Sequence, residues 1–125
     1  MAGEAYEELV KSIERKMGFA PNIMKIMKEL DPETFEFYKY CDKAVQEDGA
    51  LPAKFKMLII MAMGAQRHCK ECVVSAMKAA FKHGATKEEV IEAIRVILVG
   101  GGAPAVAACR DALEMLIKGE IAQRD

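Results

Sequence analysis

Residues 52–63 read Pro52-Ala53-Lys54-Phe55-Lys56-Met57-Leu58-Ile59-Ile60-Met61-Ala62-Met63, a proline followed by a stretch that turns wholly apolar. Pro at the first turn suits a helix, because the amide it lacks has no intrahelical partner there. No period-2 alternation of useful length occurs here or elsewhere, so the segment reads as a helix that is apolar all round. Such a helix must be covered on every side. The apolar run from Met57 to Ala65 is nine residues. A bilayer span needs about twenty, so the reading is a core helix and no membrane segment.

Outward from this helix the pattern stays helical. Upstream, Tyr6, Leu9, Val10, Ile13 and Met17 form one stripe of a helix over 4–16, which Gly18 ends. Pro21-Asn22 opens a short helix to Leu30. Asp31-Pro32-Glu33 combines an N-cap, a first-turn proline and an acid at the positive helix end, and starts a third helix running to Asp48. Downstream, the pattern breaks at Arg67-His68-Cys69 and resumes as a helix to His83, before Gly84. Thr86-x-x-Glu89 is a capping box for a helix from Lys87 to Val99. Gly100-Gly101-Gly102 interrupts it, and a last helix runs from Pro104 to Lys118, capped by Gly119. The expectation is an all-α fold of six to seven helices in a single domain, 1–125.

Composition excludes several function classes. The chain has 125 residues, 52% hydrophobic and 30% charged, which is incompatible with intrinsic disorder. Lys+Arg number 18 against 19 Asp+Glu, a net charge of -1, with no basic surplus for a nucleic acid. Trp is absent and aromatics are only 6%, which argues against a base-stacking platform. The first residues, MAGEAYEEL, are acidic and polar, unlike a secretory signal. A cytoplasmic protein is expected.

The chemistry points to cysteine. Of Cys41, Cys69, Cys72 and Cys109, only Cys69-Lys70-Glu71-Cys72 form a Cys-x-x-Cys pair, and it falls where a loop becomes a helix. Two intervening residues in a first helical turn bring the sulfurs within bridging distance. The free amides and positive dipole end there favour thiolate over thiol. Arg67, His68 and Lys70 add positive charge. A metal site as a rule needs four ligands, and no second Cys-x-x-Cys or His-x-x-x-His is present, so neither metal nor organic cofactor is expected. Cys41 and Cys109 read as small core hydrophobes, and the nine methionines as adaptable core filler. His83 reads as a last-turn histidine favoured by the helix dipole, and Glu71 as a first-turn acid.

The segment from Pro52 to about Leu116 resembles the carboxymuconolactone decarboxylase family, which includes the alkylhydroperoxidase D-like proteins. The features that carry it are the apolar helix after Pro52, the Cys69–Cys72 pair at the next helix start and His83-Gly84-Ala85-Thr86. The Lys87-to-Ala93 helix start and Val99-Gly100-Gly101-Gly102-Ala103-Pro104-Ala105 complete it. The N-terminal fifty residues add little to the likeness. The resemblance implies an all-α fold, assembly into trimers or hexamers, and either thiol-disulfide chemistry serving peroxide defence or lactone decarboxylation. Two departures are visible. The redox branch resembles Cys-x-x-Cys followed four residues later by His, and preceded twelve residues earlier by Glu; Ala76 and Met57 stand at those places. Direct peroxide reduction is therefore disfavoured, while dithiol exchange needs no such relay.

The resulting expectation is a thiol-disulfide oxidoreductase cycling Cys69 and Cys72, with His68 assisting a thiol and Cys69 attacking first. Its partners are a disulfide-containing protein or small molecule and a reductant protein. The competing readings are a lactone decarboxylase-type enzyme, for which Arg67, His68 or Lys56 offer polar groups, and a non-enzymatic oligomeric interaction protein. Residues 57–65 and 96–108 are apolar enough to imply an obligate homo-oligomer, a trimer or hexamer by the resemblance, with the cysteine pair near a subunit boundary.

Overall fold

Leu9, Val10, Ile13 and Met17 recur on one face of the first helix, α1 (Ala2–Met17), and all four are buried. The computed structural model describes residues 2–121, and every regular element among them is helical. The fold is all-α. Contacts cluster into two compact units divided at Ala53/Lys54.

In the first unit, α1 is followed by α2 (Asn22–Leu30), α3 (Pro32–Phe35) and α4 (Phe37–Tyr40). A π-helical turn, Cys41–Val45, completes it. The expected single helix over 32–48 is thus a broken series. Its start is as the residues dictate: Pro32 sits at the first position and the Asp31 carboxylate accepts from the Thr34 amide. Those bonds from Thr34 hold the Asp31 carboxyl below its ordinary value. Phe35 is fully buried, edge-on to Tyr6 at 4.8 Å between ring centroids. Polar ties surround this aromatic centre. The Tyr6 hydroxyl donates to Glu36 at 2.7 Å, Ser12 donates to Asp42, and Lys16 pairs with Asp42 and Glu47 at 3.1 and 2.7 Å.

The second unit contains most of α5 (Ala53–Gln66), then α6 (Lys70–Lys82), α7 (Lys87–Ala107) and α8 (Arg110–Ile117). Alanine and methionine are frequent among its buried residues, with Met57, Met61, Ala65, Ala76, Met77 and Ala80 beside the larger Phe81. Alanine lets helices approach closely, and methionine fills the irregular gaps left between them. α6 packs against α8. The Lys54 ammonium meets the Glu89 carboxylate at 3.0 Å, joining the starts of α5 and α7.

The glycine run breaks the helix as expected, at its last member. Hydrogen bonding carries α7 through Gly100 and Gly101, and only Gly102 leaves helical geometry, with φ 79 and ψ 179. A second, slighter interruption falls at Ala108–Cys109, ahead of α8, where the backbone stays in the right-handed helical region. By length and composition α7 is long and apolar enough to cross a membrane, the one described helix that is. The nine-residue core run could not reveal this, because the apolar stretch of α7 is diluted by glycine and proline. The kink limits its straight part to residues 87–101, about 22 Å at 1.5 Å per residue, against roughly 30 Å of bilayer core.

α5 carries Phe55, Ile59 and Met63 on one exposed stripe, and α7 exposes Val96, Leu98 and Val99, the last at 89%. A groove of about 300 Å³, apolar but for Arg95, is lined otherwise by Ile91, Ile94, Leu98, Val106 and Leu113.

Candidate active site

The site begins with how α5 stops. The Cys69 amide donates back to the Gly64 carbonyl at 2.9 Å, and the His68 amide to the Ala65 carbonyl at 3.0 Å. This pair of bonds is a Schellman C-cap, which requires a left-handed residue between the helix and the returning chain. That residue is His68, at φ 58, the only non-glycine with positive φ among the described residues. The turn it makes delivers Cys69 at once into α6. Cys69 has extended backbone geometry and serves as the N-cap of that helix, its sulfur accepting from the Cys72 amide at 3.3 Å.

Cys69 and Cys72 form a disulfide, with Cα atoms 5.2 Å apart. Both are half-buried, so the bridge is neither sealed in the core nor fully solvated. It is held from below by close backbone approach. A Cβ placed on Gly64 would lie 2.9 Å from the Cβ of Cys72, so only glycine lets α5 pass at this distance. A Cβ on Gly101 would lie 2.8 Å from the Cβ of Ala105, which cannot swing aside, and this accounts for one member of the glycine run.

Of the three residues singled out in the sequence, the structure joins Cys69 to Cys72 and sets His68 beside them in the preceding turn. The His68 side chain is exposed, and among the described residues no hydrogen bond ties it to either sulfur. Arg67 and Lys70 are exposed on the same turn. The relay positions named by the resemblance, Met57 and Ala76, are both buried. Lys56 lies on α5, half-buried, outside the residues that line the clefts described here.

The other two cysteines are different in kind. Cys109 is fully buried, and burial raises its thiol above the ordinary value. Cys41 lies in the first unit; burial raises it as well, offset in part by a hydrogen bond from Gln46. Cys109 stands at the start of α8 but is sealed in the core, and Cys41, half-buried like Cys69 and Cys72, has no second cysteine three residues away. Among the described residues, no three His, Cys, Asp or Glu side chains gather where they could hold one metal ion.

One feature of the site was missed in the sequence. A cleft of about 210 Å³ is lined by His68, Lys70, Pro104, Ala107, Ala108 and Arg110. A single helix from Pro104 to Lys118, as the sequence suggests, places Arg110 in mid-helix and gives no reason to single it out. The break at Ala108–Cys109 puts it in the first turn of α8 instead. Nothing in the residue pattern marks that break, since Cys109 makes no side-chain cap.

The sequence profile of the carboxymuconolactone decarboxylase family matches residues 32–115. The chain belongs to this family. The match reaches back to Pro32, so the N-terminal third contributes more than the likeness from Pro52 onward suggested. An uncharacterized protein of Cupriavidus necator is 33% identical over 76 residues, 61% of this chain and 67% of that one. An uncharacterized protein of Methanocaldococcus jannaschii is 32% identical over 94 residues, 74% of this chain and 90% of that one. A crystal structure from Burkholderia xenovorans LB400, assigned to the carboxymuconolactone decarboxylases, has a TM-score of 0.71 and 26% identity. It covers 96% of this chain and 98% of its own. The family's enzymes define the coarse class, of redox or decarboxylase type.

Proposed function

We propose that the protein is a thiol-disulfide oxidoreductase that cycles Cys69 and Cys72. The observation that carries the reading is their disulfide at the first turn of α6, half-exposed beside a basic turn. In the reduced form, the Cys69 thiolate attacks one sulfur of a substrate disulfide. The substrate S–S bond breaks, a mixed disulfide forms on Cys69, and the first substrate thiolate leaves, taking a proton from water. Cys72, deprotonated to solvent, then attacks the Cys69 sulfur. The second substrate thiol is released and the Cys69–Cys72 bridge is restored. Two electrons pass from the dithiol to the substrate, and an external dithiol returns them. Free amides at the start of α6 stabilise the thiolate form, and Cys69, at the N-cap, is the attacking group. With Met57 and Ala76 apolar, no proton relay serves peroxide, so disulfide exchange is the favoured branch.

Insulin reduction with dithiothreitol as donor tests this. Cys69→Ser and Cys72→Ser are each expected to lower turnover at least about a hundredfold, losses of the size removed nucleophiles produce. Variants that keep wild-type rates would overturn the reading. Turnover of a lactone that survives alkylation of both cysteines would promote the decarboxylase alternative, which the likeness to the Burkholderia structure keeps in view.

The proposal extends to assembly. The exposed stripes of α5 and α7, together with a net charge of -1, favour a symmetric homo-oligomer that covers them. Light scattering at micromolar concentration is expected to give a trimer or hexamer, and a stable monomer would sink the idea.

A further inference from the structure

His68 and Lys70 flank Cys69 in the chain, and both line the small cleft that Arg110 closes from the first turn of α8. The rest of its lining, Pro104, Ala107 and Ala108, is apolar and short. The cleft therefore presents three nitrogen-bearing side chains and no carboxylate. Lys70 and His68 make no ion pair among the described residues, and Arg110 has only a long contact of 3.8 Å with its exposed neighbour Asp111. The first turns of two helices, α6 and α8, each contribute a lining residue, and a helix start favours negative charge.

We infer that this cleft is a recognition site for a carboxylate borne on the substrate, and that the preferred substrates are small disulfides carrying a carboxylate a few bonds from sulfur. The inference rests on the reductase reading and supplies its substrate class. A volume of about 210 Å³ admits a carboxylate arm but not a folded chain. Anchoring one arm beside Cys69 brings the scissile S–S bond to the attacking sulfur. The reaction is the exchange already written: the Cys69–Cys72 dithiol is oxidised, the dicarboxylate disulfide is reduced to two thiols, and an external dithiol restores the enzyme.

The test uses the reduced full-length protein and three disulfides of similar size: dithiodipropionate (anionic), hydroxyethyl disulfide (neutral) and cystamine (cationic). Thiol release is followed at low ionic strength. Each rate is divided by that of dithiothreitol with the same compound, which removes intrinsic reactivity. The expected order is anionic over neutral over cationic, with the anionic preference about fivefold or more and shrinking as salt is added. Arg110→Gln is expected to lower that preference about threefold, and Lys70→Gln to lower it similarly. Lys87→Gln, which removes an equal charge at the start of α7, keeps it. Equal normalised rates for the three compounds, or an unchanged preference in Arg110→Gln, would overturn the carboxylate site and leave the reductase standing. Failure to reduce any of them, or insulin, would overturn the reductase and the site with it.

Discussion

Two helix ends in the second unit are built alike and filled differently. At the end of α6, the Ala85 amide returns to the Ala80 carbonyl at 2.9 Å and the Gly84 amide to Phe81 at 3.0 Å, with Gly84 at φ 98. At the end of α5 the same two bonds form around His68 at φ 58. Gly84 meets the backbone requirement with the residue that has no Cβ to strain. His68 meets it with a side chain that costs roughly 1–2 kcal/mol in that conformation. The costly choice adjoins the disulfide and the cheap one does not. The difference teaches that the α5–α6 junction is shaped by what it presents and the α6–α7 junction only by what it must turn.

The largest expected effect comes from breaking the junction from beneath. Gly64→Ala places a methyl 2.9 Å from the Cβ of Cys72, an atom fixed by the first turn of α6 and unable to swing aside. The helix start must shift, at about 1–3 kcal/mol for overpacking. Thermal unfolding reads the loss, and insulin reduction is expected to fall with it because Cys72 moves relative to Cys69. An alanine variant of wild-type stability and rate would show that the close approach is not needed. Gly100, whose Cβ would meet nothing within 4 Å, is the matching control.

Exchanging the two cap residues sharpens the comparison further. His68→Gly relieves about 1–2 kcal/mol of backbone strain. It also frees the unfolded chain, which costs about 0.4–1 kcal/mol, so the net gain is roughly 0.5–1 kcal/mol. Gly84→His runs the same arithmetic backwards, and nothing lies within 4 Å of a Cβ there to add a clash. Denaturant unfolding is expected to show gains and losses of similar size and opposite sign. Disulfide reduction is expected to fall in His68→Gly despite its higher stability, and to hold in Gly84→His. Equal activity in both variants would reduce His68 to a structural accident.

The same contrast explains what could be read in the residues. Local signals with a single physical partner were legible. These include Asp31 capping the turn at Pro32, Thr86 with Glu89, and the Cys-x-x-Cys pair at a helix start. Gly84 was legible as a terminator because glycine advertises a left-handed turn. His68 was legible as a charge and a thiol-assisting group near the cysteines but not as a turn-former, since no pattern announces that a histidine has taken a glycine's backbone. The run at 100–102 was legible as a break, which falls on its last member, Gly102. Glycine lowers helix propensity but does not forbid helical bonds, and packing carried α7 as far as Gly101. The third helix broke into pieces because a π-helical turn at Cys41–Val45 answers to tertiary contacts, among them the buried Asp42 that accepts from Ser12. Arg110 was hidden by the same class of error: its place in the cleft depends on a break that only packing reveals.

The smallest expected effect lies one junction further on, in the cap that follows Gly84. The Glu89 carboxylate accepts from the Thr86 amide at 2.9 Å, and Lys54 meets it at 3.0 Å. The backbone bond from Thr86, then the Lys54 contact, hold the Glu89 carboxyl below its ordinary value. A lowered folded value means that the ionised form stabilises the fold. Its contribution is complete above the unfolded carboxyl range, near pH 4.3, and is lost as pH falls through the lower folded value. Glu89→Gln keeps an acceptor for the Thr86 amide but removes the charge facing Lys54. The expected cost at neutral pH is about 0.5 kcal/mol, the scale of a partly exposed pair, with the wild-type and variant stability curves converging below about pH 4. Added salt is expected to narrow the gap at neutral pH as well, because the pair is only partly shielded from solvent. A gap that stayed constant from neutral to acid pH would locate the role of Glu89 in its shape as a cap and not in its charge. The α6–α7 junction would then be held by backbone geometry alone.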